Sequence, residues 1–212
     1  VKMSFVGKSL TGMRNVRAMQ LAFSNVKRFQ CSDGGSHLTP GYEPSVGTII
    51  PKGLKMQKAR TWDDGVADGF KPTKSEDLFN GKKVVLFAVP GAYTGVCHQA
   101  HVPSFSKNVA AFKSKNVDKI VCVSTNDPYV LNGWAKALGD KATGIEFYSD
   151  CDLEFTKFMH SELDLSVAAL GVGSRTNRYA LFVDNGVIKS LKKEASPGDL
   201  KVSDGDSLLK DL

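Results

Sequence analysis

The chain has 212 residues, 42% of them apolar, with 28 basic and 22 acidic side chains, which suits one core-forming domain plus an extension. No apolar run approaches the roughly 20 residues of a membrane-spanning helix, so no membrane partner is expected. The net charge of +6 is unevenly placed: Lys2, Lys8, Arg14, Arg17, Lys27 and Arg28 all precede the first acidic residue, Asp33, and removing these six leaves 22 basic residues against 22 acidic ones. A nucleic-acid partner therefore loses its main electrostatic support.

Residues 1–43 read as an organellar transit peptide and linker. Up to Gln30 this stretch is basic, free of Asp and Glu, and sprinkled with Ser, Met and aliphatics, the composition of a mitochondrial, less readily a plastid, import sequence; a plain basic tail is the competing reading. The stretch after Cys31 has linker composition.

Residues 44–212 form the domain. Val46–Pro51 and Gly53–Trp62 read as short strands, Asp63–Glu76 as a loop, and Ser75–Gly81 as one capped helical turn closed by Asn80-Gly81. Val84–Val89 is an uninterrupted apolar run stopped by Pro90-Gly91, hence a buried strand, and a helix is expected to begin after Gly95. Ser104–Lys115 has helical spacing of Phe105, Val109 and Phe112, kinked near Pro103. Lys119–Thr125 is the next buried strand. Asp127-Pro128 then caps a helix over Tyr129–Leu138. Ile145–Ser149 is a third strand, Leu153–Leu163 a helix, Arg178–Val183 and Val187–Leu191 a hairpin turning at Asn185-Gly186, and Asp204–Leu212 a closing helix. This order predicts a thioredoxin-like three-layer α/β fold with a central mixed sheet.

Chemistry concentrates at Cys97. A cysteine just after a strand, a Pro-Gly turn and a helix start meets free N–H groups and the positive end of the helix dipole, both of which favour a thiolate. Pro90, Thr94 and Cys97 stand at the spacing Pro-x-x-x-Thr-x-x-Cys. This motif resembles the active-site signature of peroxiredoxins, and Val-Pro-Gly-Ala-Tyr-Thr-Gly-Val-Cys resembles the type II, peroxiredoxin-5-like branch, with the nearest likeness to glutathione- and glutaredoxin-linked organellar plant enzymes. The likeness runs from about Val46 to Leu212. It implies an N-terminal β-hairpin, a peroxidatic Cys97 supported by Thr94 and Pro90, and a homodimer packed beside the active-site loops. Arg175-Thr-Asn-Arg178-Tyr179 matches the family's Arg-x-x-Arg-aromatic pattern, which implies a catalytic Arg178 and a supporting Arg175.

The expected reaction is attack of the Cys97 sulfur on a hydroperoxide, leaving a sulfenic acid, with no metal or organic cofactor. A zinc site at Cys97, His98 and His101 lacks a fourth ligand at motif spacing and would lock the sulfur away from peroxide; His98 reads as pocket wall and His101 as a helix-face residue. Recycling needs a second thiol. Cys122 stands 25 positions on, where plant-like relatives carry their second cysteine. It lies, however, about 10 Å below the strand end, and a disulfide requires Cα atoms within about 7 Å. Cys151 lies after the third strand on the reactive edge but has no family role. Ser203–Ser207 has no cysteine where animal-type relatives have one. The expected reductant is therefore external, glutathione with glutaredoxin ahead of thioredoxin. Two other readings are a peroxide-sensing relay or interaction protein using the same cysteine, and a disulfide reductase, which the lack of any Cys-x-x-Cys disfavours.

Overall fold

The computed structural model of the chain describes residues 43–168, 170 and 173–212. Apart from Glu43, the transit-peptide and linker reading lies outside the described residues.

Among the described residues, nine strands and seven α-helical segments follow in order. They are β1 (Lys55–Lys58), α1 (Trp62–Asp68), β2 (Thr73–Lys74), α2 (Ser75–Phe79) and β3 (Lys83–Ala88). A wide π-helical turn, Cys97–His101, leads into α3 (Val102–Ser106) and α4 (Val109–Ser114), followed by β4 (Lys119–Ser124) and α5 (Pro128–Leu138). Then come β5 (Glu146–Ser149), α6 (Glu154–Phe158), β6 (Glu162–Asp164), β7 (Ser174–Thr176), β8 (Tyr179–Asp184), β9 (Val187–Lys193) and α7 (Gly205–Leu209).

Seven strands make one mixed sheet, ordered β2-β1-β5-β4-β3-β8-β9. The apolar runs of β3, β4 and β5 lie parallel at its centre, and β8 pairs antiparallel with β3 so that Tyr179 faces Ala88. Alternation along β3 explains the layers. Val85, Phe87 and Val89 join a core with Phe105, Phe112, Leu131, Trp134 and Leu208, whereas Val84, Leu86 and Ala88 join a second core with Phe79, Phe155 and Met159. A sheet buried on both faces needs a strand with an unbroken apolar run, and β3 supplies one from Val84 to Ala88. On the first face Phe87 stacks on Phe105 with ring centroids 4.0 Å apart. Such fully buried side chains contribute roughly 1.5–3 kcal/mol each.

The three-layer expectation holds, and several local expectations need correcting. Asp63–Glu76 is not a loop: Thr61 and Asp64 form a reciprocal capping box that starts α1, and Gly69, left-handed at φ +66°, ends it. Val46–Pro51 is not a strand but a single bridge from Ile49 to Val187, so the N-terminal antiparallel pair is β1 with β2. The Ser104–Lys115 helix breaks at Lys107–Asn108. Its start widens into the π turn, where the Val102 N–H reaches back to the Cys97 carbonyl just ahead of Pro103, a residue with no N–H to continue the ladder. The helix expected to reach Leu163 stops at Phe158, since His160 turns left-handed at φ +46°, and Leu163 instead pairs with Arg175 in the small β6–β7 sheet. Asn185 and Gly186 both take positive φ, as a two-residue type I′ turn demands.

Candidate active site

The C-terminal ends of β3, β4 and β5 share one edge of the sheet, and the loop of residues 90–94 leaves β3 there. Asn126 anchors this loop. Its Oδ1 accepts from the Ala92 N–H at 2.9 Å and from the Ser124 hydroxyl at 2.8 Å, tying the loop to the end of β4. Tyr93 turns left-handed at φ +61° and leaves its side chain exposed. The Thr94 carbonyl accepts the His98 N–H at 2.9 Å, opening the helical turn that holds Cys97, and Cys97 itself is buried in the first core.

Arg178 arrives from the other side. Because β8 starts opposite the last residue of β3, the residue before it stands beside this loop. Arg178 is only 2% exposed. Its Nη2 donates to Cys97 Sγ at 3.3 Å and to the Pro197 carbonyl at 2.8 Å, and its Nη1 donates to His101 Nδ1 at 3.0 Å. None of the ion pairs among the described residues includes Arg178. A buried guanidinium is costly unless it is paired and hydrogen-bonded, and here three acceptors, the Cys97 sulfur among them, surround it.

His101 is where sequence reasoning missed most. Read as a helix-face residue, it is fully buried. Nε2 lies 2.9 Å from the Ser203 carbonyl, which can only accept, so Nε2 carries the proton and Nδ1 accepts from Arg178. Burial first, and then the Arg178 charge, pull its pKa down to about 3. His101 thus serves as a neutral bracket for the arginine. Its placement one helical turn after Cys97 was visible in the sequence; its link to Arg178 was not.

The remaining candidates lie as follows. Pro90 is buried at the foot of the loop. Thr94 sits in the loop, but its hydroxyl donates to the Gly91 carbonyl at 2.8 Å, so it braces the turn and does not donate to the sulfur. Arg175, on β7, donates to the Leu170 carbonyl at 2.9 Å and lines a polar cleft of about 320 Å³ with Thr125, Asn126, Asp127 and Ser174, a cleft that Cys97 does not line. His98 is half-buried and accepts the Trp134 indole N–H at 3.0 Å. Cys122 is buried in β4 between Phe87 and Phe147, in the same core as Cys97. Burial, with the nearby Cys97 sulfur adding to it and Arg178 opposing, pushes its thiol well above the ordinary value. Cys151 is exposed in the turn after β5, and desolvation by the surface it lies against pushes its thiol up as well.

Residues 51–209 match the Redoxin family. The chain belongs to that family. It is similar to "Peroxiredoxin-2F, mitochondrial" of Oryza sativa subsp. japonica, 53% identical over 157 residues, covering 74% of this chain and 78% of that protein. The Arabidopsis thaliana protein of the same name is 42% identical over 201 residues, covering 95% and 97%. Among solved structures, reduced Prx3 of Vibrio vulnificus in complex with H2O2 superposes with a TM-score of 0.68 at 35% identity, covering 80% of this chain and 99% of that one. Peroxiredoxin 5 of Alvinella pompejana gives 0.65 at 28%, covering 79% and 97%. The chain is accordingly a peroxiredoxin of the type II, peroxiredoxin-5-like group, a thiol-dependent peroxidase. Both plant relatives are mitochondrial by name, which puts this peroxiredoxin with the mitochondrial members.

Proposed function

We propose that Cys97 is the peroxidatic cysteine, Arg178 its catalytic partner, and an external thiol the reductant. The observation that carries this is the buried guanidinium of Arg178, 3.3 Å from the sulfur and without a carboxylate partner among the described ion pairs. The Cys97 thiolate attacks one oxygen of a hydroperoxide, an S–O bond forms as the O–O bond breaks, and the departing oxygen leaves as water or alcohol once it takes a proton. The product is a sulfenic acid. Arg178 stabilises negative charge first on the sulfur and then on the departing oxygen, the differential stabilisation that lowers a barrier. The Thr94 hydroxyl, whose proton goes to Gly91, keeps its lone pairs for the peroxide O–H, while Pro90 is buried at the foot of the loop and Arg175 lies near Gly91 in a supporting position.

For recycling, one glutathione thiol condenses with the sulfenic acid, releasing water and leaving a mixed disulfide. A second thiol, from glutathione or glutaredoxin, then attacks that disulfide and frees Cys97. Burial of Cys122 and the upward shift of the thiols of Cys122 and Cys151, the other two cysteines among the described residues, favour this route over an internal disulfide, with thioredoxin as the less favoured reductant. A homodimer is supported by exposed apolar side chains around α5: Val130 on it, Trp62 in contact with Tyr129, and Tyr93 beside Gly133. Stopped-flow oxidation of wild type and Cys97→Ser, followed by turnover with each reductant, tests the proposal. Rapid loss of one thiol and catalytic peroxide consumption are expected. Consumption that ends after one equivalent with every reductant favours a relay, and an unchanged Cys97→Ser variant overturns the assignment.

A further inference from the structure

The carbonyls that hold Arg178 and His101, those of Pro197 and Ser203, both come from the stretch between β9 and α7, which has no helix or strand of its own. An irregular loop holds two carbonyls in place only if something fixes its path. Glu194 does so. One carboxylate oxygen, Oε1, accepts the Lys201 N–H at 2.9 Å, the Val202 N–H at 2.9 Å, and the N–H and hydroxyl of Ser203, each at 2.8 Å. Three successive backbone N–H groups wrapped on one oxygen form an anion nest. The backbone N–H of Glu194 also donates to the Arg178 carbonyl at 3.0 Å, so this residue, just past the end of β9, both flanks Arg178 and closes the loop that brackets it. Burial works against its charge, yet the bonds from Val202 and Ser203 hold its carboxyl below the ordinary glutamate value.

We propose that Glu194 is a positioning residue for peroxide reduction: by closing residues 195–203 on its carboxylate it fixes the Pro197 and Ser203 carbonyls, and through them the Arg178 guanidinium and the His101 ring. The inference rests on Cys97 being the attacking sulfur. Without the nest, Nε of Arg178 and one N–H of Nη2 lose the acceptor they share, Pro197 O. A buried guanidinium then turns to whatever acceptor it can reach, and a misplacement of about 1 Å at a reacting centre costs on the order of a hundredfold in rate.

A carboxylate that merely stabilised the fold would slow the reaction equally whether or not Arg178 is present. A double-mutant cycle separates the two cases. Oxidation of Cys97 by hydrogen peroxide is followed by stopped flow in the full chain as wild type, E194A, E194Q, R178Q, and the doubles E194A/R178Q and E194Q/R178Q. E194A is expected to slow oxidation at least tenfold when Arg178 is present and less than twofold in the R178Q background, with E194Q recovering part of the loss through its amide oxygen. Oxidation of E194A within twofold of wild type, or the same factor lost in both backgrounds, overturns the inference. If E194A does not fold, the E194Q arm of the cycle decides in the same way, with threefold as the threshold. A wild-type rate no faster than that of Cys97→Ser overturns the cysteine assignment itself, a result distinct from any difference among the Glu194 variants.

Discussion

Arg178 and Cys97 are 81 positions apart in the chain, and Nη2 of the one donates to Sγ of the other across 3.3 Å. The same guanidinium is held by His101 and Pro197, so three acceptors fix its plane. Arg178→Ala should lower the second-order rate of Cys97 oxidation by roughly a hundred- to a thousandfold, the usual cost of removing one donor aimed at developing charge. Arg178→Lys should recover only part of this, because a point charge cannot replace a planar fork that meets three partners. Stopped-flow traces under excess peroxide measure both, and an Arg178→Ala rate within a few fold of wild type would sink the arginine's assigned role.

The C-terminal helix reaches the site through Gly205. Its N–H donates to the Ser104 hydroxyl at 3.0 Å, and a Cβ built there would stand 2.2 Å from the Ser104 carbonyl oxygen. No flexible side chain is involved, so the backbones must part. Gly205→Ala should destabilise the domain by about 1–3 kcal/mol, the range for overpacking a close contact. The expected readout is a thermal midpoint lowered by several degrees. An unchanged midpoint would mean that α7 does not dock on α3 in this way.

Much of this was legible in the sequence because it rests on local patterns. Apolar runs marked the central strands, Asp127-Pro128 the start of α5, Asn185-Gly186 the β8–β9 turn, and the Pro90, Thr94, Cys97 spacing the loop. What escaped depended on partners distant in the chain. His98 and His101 look alike in sequence, yet one meets Trp134 and the other is buried between Arg178 and Ser203. Glu194 gave no signal, since its four donors become neighbours only when residues 195–203 fold back. The capping box of Thr61 and Asp64 was readable but was masked by the Asp- and Gly-rich composition around it. Leu163 fitted a helical face, but the left-handed turn at His160, which nothing local required, sent it into β6.

Buried His101 makes a prediction about acid stability. Its folded pKa is depressed to about 3, by burial first and the Arg178 charge second. The unfolded chain therefore binds a proton near pH 6.5 that the folded chain refuses, and stability falls as pH drops between these two values. By pH 5 the loss from this one residue is about 2 kcal/mol at most. Urea unfolding of wild type and His101→Gln at pH 7.5, 6.0 and 5.0 measures it. The variant should start less stable yet show a shallower fall with acid, and parallel curves would show that His101 is not the buried neutral group described here.

Recycling turns on Cys122, whose register places it between Phe87 and Phe147 in the middle of the sheet. Its sulfur shares a core with Cys97 and lies near enough to interact with it, but a Cys97 turn that unwound to bond it would lose the Arg178 contact. Its thiol is also held protonated by burial, which makes it a poor nucleophile toward a sulfenic acid. Cys122→Ala should therefore oxidise at the wild-type rate within twofold and still turn over with glutathione and glutaredoxin. The lost core volume should cost about 1 kcal/mol of stability. Intact mass after one equivalent of peroxide is the deciding measurement. The variant and wild type should both gain one oxygen, or a glutathione adduct when glutathione is present. A wild-type mass two hydrogens lighter, absent in Cys122→Ala, would instead establish an internal disulfide and make Cys122 the resolving residue.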